Sequence, residues 1–445
     1  MKRVALLVLL LLLVATSAYA RRAEPIDAAA LADEVEAAWE RHDLRWWFPR
    51  VVDPAGGFFQ GFDADGAGIA RSNGIEGGER TSIYQSRMTW VAATICQRRP
   101  ELRGEFEPVV RHGLAFIKEN LVADDGGLWW GVDADGAPLL NGERHLYNTS
   151  FGIYAAAAAE RALPGEGGLE LALSLLNFLE EHGRSDAFPG YFEHYARDGH
   201  AITSADDPAA QGDYATMMPH YGDKSMNAQI HLLEALAELH HADPGNALVE
   251  RRLRESYAMV ADKLYGEPGF LHLYLNADGT PLPNETSYGH NIETAFLLIE
   301  AAEALGEEEA AWPKAAKLVD TSLRVAWDQE NGGLNDAGST YEIHERRKDW
   351  WVQAEALNAI LMMADAARGG HGGDYSEAEY LDFFLKEWAF IDAHLLDQKD
   401  GGWFWGVDEN LDVNRQQPKA GQWKTSYHTS RALLNVADRL RARAE

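Results

Sequence analysis

The sequence of 445 residues predicts an all-α fold: an (α/α)6 barrel of six helical hairpins, with short β-hairpin segments on one rim. Three observations carry that expectation. A glycine-aromatic segment recurs six times, two amphipathic helix patterns accompany each copy, and no composition shift or Pro/Ser-rich linker divides the chain. An open helical solenoid would satisfy the same repeat, but six units is the number that a closed ring of hairpins uses.

The copies are Gly56-Gly57-Phe58-Phe59-Gln60-Gly61-Phe62-Asp63, Gly126-Gly127-Leu128-Trp129-Trp130-Gly131-Val132-Asp133 and Gly190-Tyr191-Phe192-Glu193-His194-Tyr195. They continue as Gly269-Phe270-Leu271-His272-Leu273-Tyr274, Gly332-Gly333-Leu334-Asn335-Asp336 and Gly401-Gly402-Trp403-Phe404-Trp405-Gly406-Val407-Asp408. Counted from the glycine nearest the apolar residue, they start at 57, 127, 190, 269, 333 and 402. Helix patterns are read over 28–41, 85–97, 108–120, 147–162, 168–181, 225–241, 247–263, 291–305, 311–327, 350–367, 378–394 and 426–440. Alternate helices should line the ring and the others wrap it. The glycine-aromatic segments should then share one rim.

At the N-terminus, Lys2 and Arg3 precede an apolar run from Val4 to Val14 and then Ser17-Ala18-Tyr19-Ala20. This is the pattern of a cleavable secretory leader, residues 1–20, leaving 21–445 as one catalytic domain in the periplasm or outside the cell. Nearly half the residues are hydrophobic, and no later segment approaches membrane length. The net charge of −30, two units more negative once the leader is gone, argues against nucleic acid and anionic lipid and suits a neutral ligand. A monomer is expected. Cys96 is the only cysteine, so no intramolecular disulfide can form, and its apolar helical context argues against a nucleophile.

Chemistry-bearing residues interrupt five apolar helix patterns. Pro281, Pro283 and Gly289 break the chain before an apolar run that begins in Ser287-Tyr288-Gly289-His290-Asn291-Ile292-Glu293. His290 therefore falls in the first turn of a helix, with Glu293 on the same face. Unpaired N–H groups and the helix dipole favour a neutral imidazole there, although a histidine so placed can equally cap its own helix. Asn227, His231 and Glu234 share one face at i, i+4 and i+7, flanked by Met226, Ile230 and Leu233. Arg87 sits at a helix start in Gln85-Ser86-Arg87-Met88-Thr89-Trp90, where a carboxylate partner would make it purely structural. Trp351 and Glu355 lie one turn apart in Trp350-Trp351-Val352-Gln353-Ala354-Glu355-Ala356. The stretch Gly421-Gln422-Trp423-Lys424-Thr425-Ser426-Tyr427-His428-Thr429-Ser430-Arg431 leads into the final helix pattern. His231, His290 and His428 thus fall on different inner-helix candidates. No metal site is expected, because the histidines lack zinc-motif spacing and His344-Glu345 has no second histidine at the needed position.

Ser287-Tyr288-Gly289-His290-Asn291-Ile292-Glu293, Trp350-Trp351-Val352-Gln353-Ala354-Glu355-Ala356 and Trp423-Lys424-Thr425-Ser426-Tyr427-His428-Thr429-Ser430-Arg431 resemble the motifs of the N-acylglucosamine 2-epimerase superfamily. Within it, the chain is most similar to the cellobiose 2-epimerases, from about Ala28 to Arg439. The resemblance implies an (α/α)6 barrel and cofactor-independent epimerisation at C2 of a reducing-end sugar. It also implies that His290 and His428 are the acid/base pair, and that His231 binds the sugar or helps open its ring. Arg87 would polarise the C1 carbonyl and stabilise the enediolate oxygen. Glu293 would orient His290 or a sugar hydroxyl, and Asn227 and Glu355 would hydrogen-bond the substrate. Trp351 and Trp423 would stack on sugar faces, with Tyr147 a further binding residue. Two positions depart from the family pattern: Asn291, where many relatives have Asp, and Gln229, where they often have His.

The C2 proton of an open-chain aldose is weakly acidic. A base must remove it while a cation accepts the charge growing on O1, and a second group returns a proton to the opposite face. Histidine titrates near working pH and Arg87 cannot lose its charge, so these residue types suit the task. Returning the proton to C1 instead gives a ketose, so a monosaccharide aldose–ketose isomerase is the related alternative. A glycoside hydrolase would need two carboxylates across a scissile bond, for which Glu293, Glu355 and Asp349 are available. A non-catalytic sugar-binding protein would use the aromatic residues alone. The sequon-like Asn284-Glu285-Thr286 is read as incidental.

Overall fold

The computed structural model describes residues 26–445 except 69–70, 73–74, 77, 185–186, 188–189, 211–219 and 284. The predicted leader and Asn284 lie outside the described residues. Twelve principal helices follow one another: α1 (Ala28–Trp39), α2 (Ser82–Arg98), α3 (Arg103–Phe116), α4 (Leu146–Ala162), α5 (Gly168–His182) and α6 (Met226–Ala242). They continue as α7 (Ala247–Ala258), α8 (Tyr288–Leu305), α9 (Glu308–Ala326), α10 (Trp350–Gly369), α11 (Glu377–Phe390) and α12 (Tyr427–Ala444). None is long and apolar enough to cross a membrane among the described residues.

The even-numbered helices pack each against the next, and α12 returns to α2, so the ring is closed. The odd-numbered helices wrap it, α3 on α2 and so on round to α1 on α12. The burial pattern agrees with this division. Nearly every residue of α2 and α4 is buried, whereas α3 and α7 bury a single stripe, as an outer helix should. The all-α barrel expected from the repeat is therefore the observed fold. Two local expectations change. The helix read from Pro108 begins at Arg103 and carries Pro108 inside it, since one missing donor near the start of a packed helix costs a single bond. A short helix, Arg45–Val51, is not among the helix patterns read from the sequence; a π-helical turn at Glu40–Leu44 joins it to α1.

Each glycine-aromatic segment crosses one rim and pairs with the strand that leads into the inner helix before it in the chain. Arg80–Thr81 pairs with Gly131–Val132, Arg144–His145 with His194–Tyr195, and Lys224–Ser225 with Tyr274–Leu275. Thr286–Ser287 pairs with Ala337–Gly338, and Lys348–Asp349 with Gly406–Val407. The sixth pairing, Phe62 with Ala420, joins the first unit to the last and closes the rim. At Gly333 the backbone is left-handed (φ +80°), and an added Cβ would lie 3.0 Å from the Phe390 ring and 3.1 Å from Gln353 Oε1. Glycine is required there by both conformation and space.

These two-residue strands satisfy few backbone groups, so side chains from the inner helices finish the task. Gln85 Oε1 accepts from Phe58 N at 2.7 Å and its Nε2 donates to Phe58 O at 2.8 Å. Gln353 grips Leu334 in the same way, at 2.7 and 2.9 Å. Asn148 donates to Trp129 O (3.0 Å), and Lys424 donates to Trp403 O (2.8 Å). Gln229 donates to the Glu193 carboxylate of its segment (2.8 Å), and Asn291 accepts from Leu271 N (2.9 Å) and from the Thr286 hydroxyl. Gln229 and Asn291, the two departures from the family pattern, thus belong to the rim clasps. Neither lines the candidate pocket. Four units add an ion pair across the same turn: Arg80–Asp53, Arg144–Asp125, Lys348–Asp328 and Lys419–Asp397. Replacing Asn291 with Ala strands a buried N–H. The variant is expected to lose about 1–3 kcal/mol of stability, measured by urea denaturation, and an unchanged midpoint would refute the clasp.

Candidate active site

A cavity of about 160 Å³ opens at the N-terminal ends of the inner helices, lined by Arg87, Tyr147, Asn227, His231, His290, Glu293, Trp350, Trp351, Trp423 and His428. The structure thus brings nine of the ten site residues expected from the sequence into one pocket. Glu355, expected to contact substrate, lies fully buried behind His428 and does not line it. Trp350 lines the pocket unforeseen.

The site is one layer of the repeat. The sixth residue of α2, α4, α6, α8 and α10 is Arg87, Phe151, His231, Glu293 and Glu355 respectively, and Arg431 is the fifth of α12. Each points inward because the clasp below it fixes the helix start. Arg87 packs over the Phe151 ring (4.3 Å) and the Tyr427 ring (4.9 Å). It donates to Tyr147 Oη (2.9 Å) and to the Trp423 carbonyl (3.1 Å). Among the described residues no carboxylate is bonded to it, so its charge is available to the pocket.

The three histidines differ in what stands behind them. His428 Nδ1 donates to Glu355 Oε1 (2.7 Å), and His231 Nδ1 donates to Glu234 Oε2 (2.9 Å). Since a carboxylate only accepts, the neutral form of each ring carries its proton on Nδ1 and leaves Nε2 as the lone pair. His290 Nδ1 lies 2.8 Å from the Ser287 hydroxyl, which both donates and accepts, so either tautomer is served. Ser287 is also the N-cap of α8. The Trp351 ring is shared, 4.6 Å from His290 and 5.6 Å from His428. Burial pushes the His290 imidazole down to about 4, opposed by Glu293 and reinforced by His231 and Arg87. Burial also holds His428 well below the ordinary imidazole range. The neutral imidazole expected at position 290 is what the site provides, with burial as its largest cause.

Behind the histidines lies a buried charge cluster. Arg431 donates to Glu293 Oε1 and Glu355 Oε1, each at 2.5 Å, and to Glu234 and Tyr427. Burial works against ionisation of Glu234, yet Arg431 and His231 outweigh it and hold the carboxyl at about 2. Glu293, Glu355 and His428 come close enough together to suggest a cation site, but the Arg431 guanidinium already bonds both carboxylates. Beyond Arg431 and Glu234 a second cavity of about 200 Å³ occupies the far end of the barrel, between Trp90, Tyr154 and Glu300. Sequence reading placed Glu234 on a polar stripe and Arg431 at the end of a motif, and gave neither a role. Counting along each inner helix from its start would have put Arg431 in the layer. Cys96 is buried on α2, its thiol pushed up to about 11 by burial, as an inert core residue.

The protonation state of His290 is directly testable. Its imidazole C2 proton is expected to titrate near 4 in the NMR spectrum of the ligand-free protein, staying neutral from pH 5 upward. A midpoint near 6.5 would contradict the enclosed geometry.

The family profile described as N-acylglucosamine 2-epimerase (GlcNAc 2-epimerase) matches residues 57–432. A cellobiose 2-epimerase of Ruminococcus albus is 27% identical over 420 residues, covering 91% of this chain and 98% of that enzyme. A D-mannose isomerase of Marinomonas mediterranea is 24% identical over 408 residues, covering 88% and 94%. The crystal structure of a sugar epimerase from a ruminal bacterium superposes with a TM-score of 0.80 at 25% identity, covering 92% of this chain and 99% of that one. With the profile spanning most of the ring, the chain belongs to the N-acylglucosamine 2-epimerase family and is a carbohydrate epimerase/isomerase.

Proposed function

We propose that the enzyme interconverts glucose and mannose at the reducing end of β-1,4-linked disaccharides of the cellobiose type, without a cofactor. The observation that carries the reading is the pair of imidazoles, His290 and His428, at the Trp351 ring in the same cavity as Arg87, to which no carboxylate is bonded among the described residues. In the open-chain sugar one histidine takes the C2 proton. The C–H electron pair becomes the C1–C2 double bond, and O1 takes the negative charge beside Arg87. The other histidine, which enters the step as an imidazolium, then gives its proton to the opposite face of C2 of the cis-enediolate and is left neutral, while the first is left protonated. His231, with its lone pair toward the cavity, suits the proton transfers of ring opening. Trp351, Trp423 and Tyr147 offer apolar surface for sugar rings, and Asn227 offers a side-chain amide, its Oδ1 buried without a partner. The predicted leader fits action on oligosaccharide fragments outside the cytoplasm.

The similarity to a D-mannose isomerase supports a second reading, in which the same enediolate is protonated at C1 and mannose becomes a ketose. A hydrolase is disfavoured, because Glu293 is the only carboxylate lining the cavity among the described residues and Glu355 is committed to His428 and Arg431.

Incubation with cellobiose, mannobiose, lactose and mannose in D₂O separates these readings. Epimerisation gives a 2-epimer carrying deuterium at C2, isomerisation gives a ketose, and release of free monosaccharide would sink both. His290→Ala and His428→Ala are each expected to lower turnover by roughly 10²–10⁴-fold, and near-normal turnover in both would refute the proton carriers.

A further inference from the structure

We propose that Arg431 is the positioning residue for proton transfer: its guanidinium pins Glu234 and Glu355 as oriented anions, so that His231 and His428 both present Nε2 to the cavity, and it tunes the pocket to hold one proton. The inference deepens the reading above and rests on it for the identity of the reaction.

The geometry is specific. Arg431 is nearly excluded from solvent, and its partners come from α6 (Glu234), α8 (Glu293) and α10 (Glu355), with Tyr427 from its own helix. The same Glu355 Oε1 that accepts from Arg431 accepts from His428, and Glu293 Oε1 lies 3.7 Å from His428 Nδ1. Glu234 divides its oxygens, Oε1 to Arg431 and Oε2 to His231. One cation thus stands behind two of the three imidazoles through two separate carboxylates.

The charge balance points the same way. Burial works against ionisation of Glu355 and Arg431 opposes it; with Glu234, Glu293 and Glu355 counted as anions against Arg431 and Arg87 as cations, one negative charge is left when all three histidines are neutral. A two-base epimerase needs one imidazolium and one imidazole at any instant, and one uncompensated negative charge favours one added proton. The Oε2 atoms of Glu293 and Glu355 are buried without a hydrogen-bond partner among the described residues, so most of the compensation for these carboxylates falls on Arg431 and on a protonated imidazole.

Around His428 stand Glu293 from α8, Glu355 and Trp351 from α10, Arg87 from α2, His231 from α6, and Arg431 and Tyr427 from α12. From the turn after α1, Asp43 is engaged with Thr429 and Trp403. Removing a positive charge from this set raises the proton affinity of every member. His428 then protonates at higher pH, and its base form is lost earlier as pH falls.

The test is the pH profile of kcat/KM together with the NMR titration of the histidine imidazoles. Arg431→Gln is expected to move the acidic limb and the His428 midpoint to higher pH by about one unit or more, with turnover at pH 7 down on the order of 10²-fold. Arg431→Lys keeps the charge and should leave the limb near its original place while turnover falls through lost orientation. Glu355→Gln should move the limb to lower pH, and adding it to Arg431→Gln should bring the limb back. An unshifted limb in Arg431→Gln, or equal shifts in the Gln and Lys variants, overturns the proposal. If Arg431→Gln does not fold, Glu355→Gln alone decides by the sign of its shift. The titration needs no sugar, so a wild-type protein inactive on every sugar would overturn the proposed function and still leave this result readable.

Discussion

Backbone hydrogen bonding at the rim is the constraint on which the rest of this structure depends. Six segments cross one end of the barrel as two-residue strands or isolated bridges, too short for any sheet to satisfy their peptide groups. Buried peptide groups left unpaired would each cost on the order of 1–3 kcal/mol. Side chains at or just before the first turn of the inner helices remove that cost, with Gln85, Asn148, Asn291, Gln353 and Lys424 bonded directly to rim backbone. The same bonds fix the axial position of each inner helix. Residues two positions beyond Gln85, Gln229, Asn291 and Gln353 are Arg87, His231, Glu293 and Glu355, which therefore meet at one height.

Electrostatics then divides that layer. Arg87 has no carboxylate partner among the described residues because aromatic rings, a phenol and a carbonyl surround it, whereas Arg431 is bonded to three carboxylates. The first can answer charge that appears during a reaction; the second maintains charge already present. The histidines divide likewise. A carboxylate behind His428 and His231 fixes one tautomer, and the hydroxyl behind His290 permits two.

The architecture was legible because glycines and aromatic residues mark each unit at nearly constant intervals, and the inner helices read as apolar. The pocket residues were legible as polar interruptions of those patterns, aided by three motifs. Other features left no local signal. Arg431 meets Glu234, Glu293 and Glu355 across 197, 138 and 76 residues, a separation that no spacing rule covers. Glu355 reads as a substrate ligand until its burial behind His428 is seen. Asn291 follows His290 directly, yet in a helix that step turns a side chain by about 100° and delivers it to the rim. The start of the helix containing Pro108 was misjudged because tertiary packing overrides the penalty of one missing donor.

The clasps and the layer above them occupy different positions on the same helices. Substitution at a sixth position changes what the cavity can do without touching a bond that closes the ring, as Phe151 already illustrates by placing a hydrocarbon face where its neighbours place ionisable groups. The bonds that close the ring and the groups that serve the cavity therefore sit on different residues, except where the buried Arg431 cluster ties Glu293 and Glu355 to the stability of the barrel. A lineage can explore new sugar chemistry at the remaining sixth positions one helix at a time.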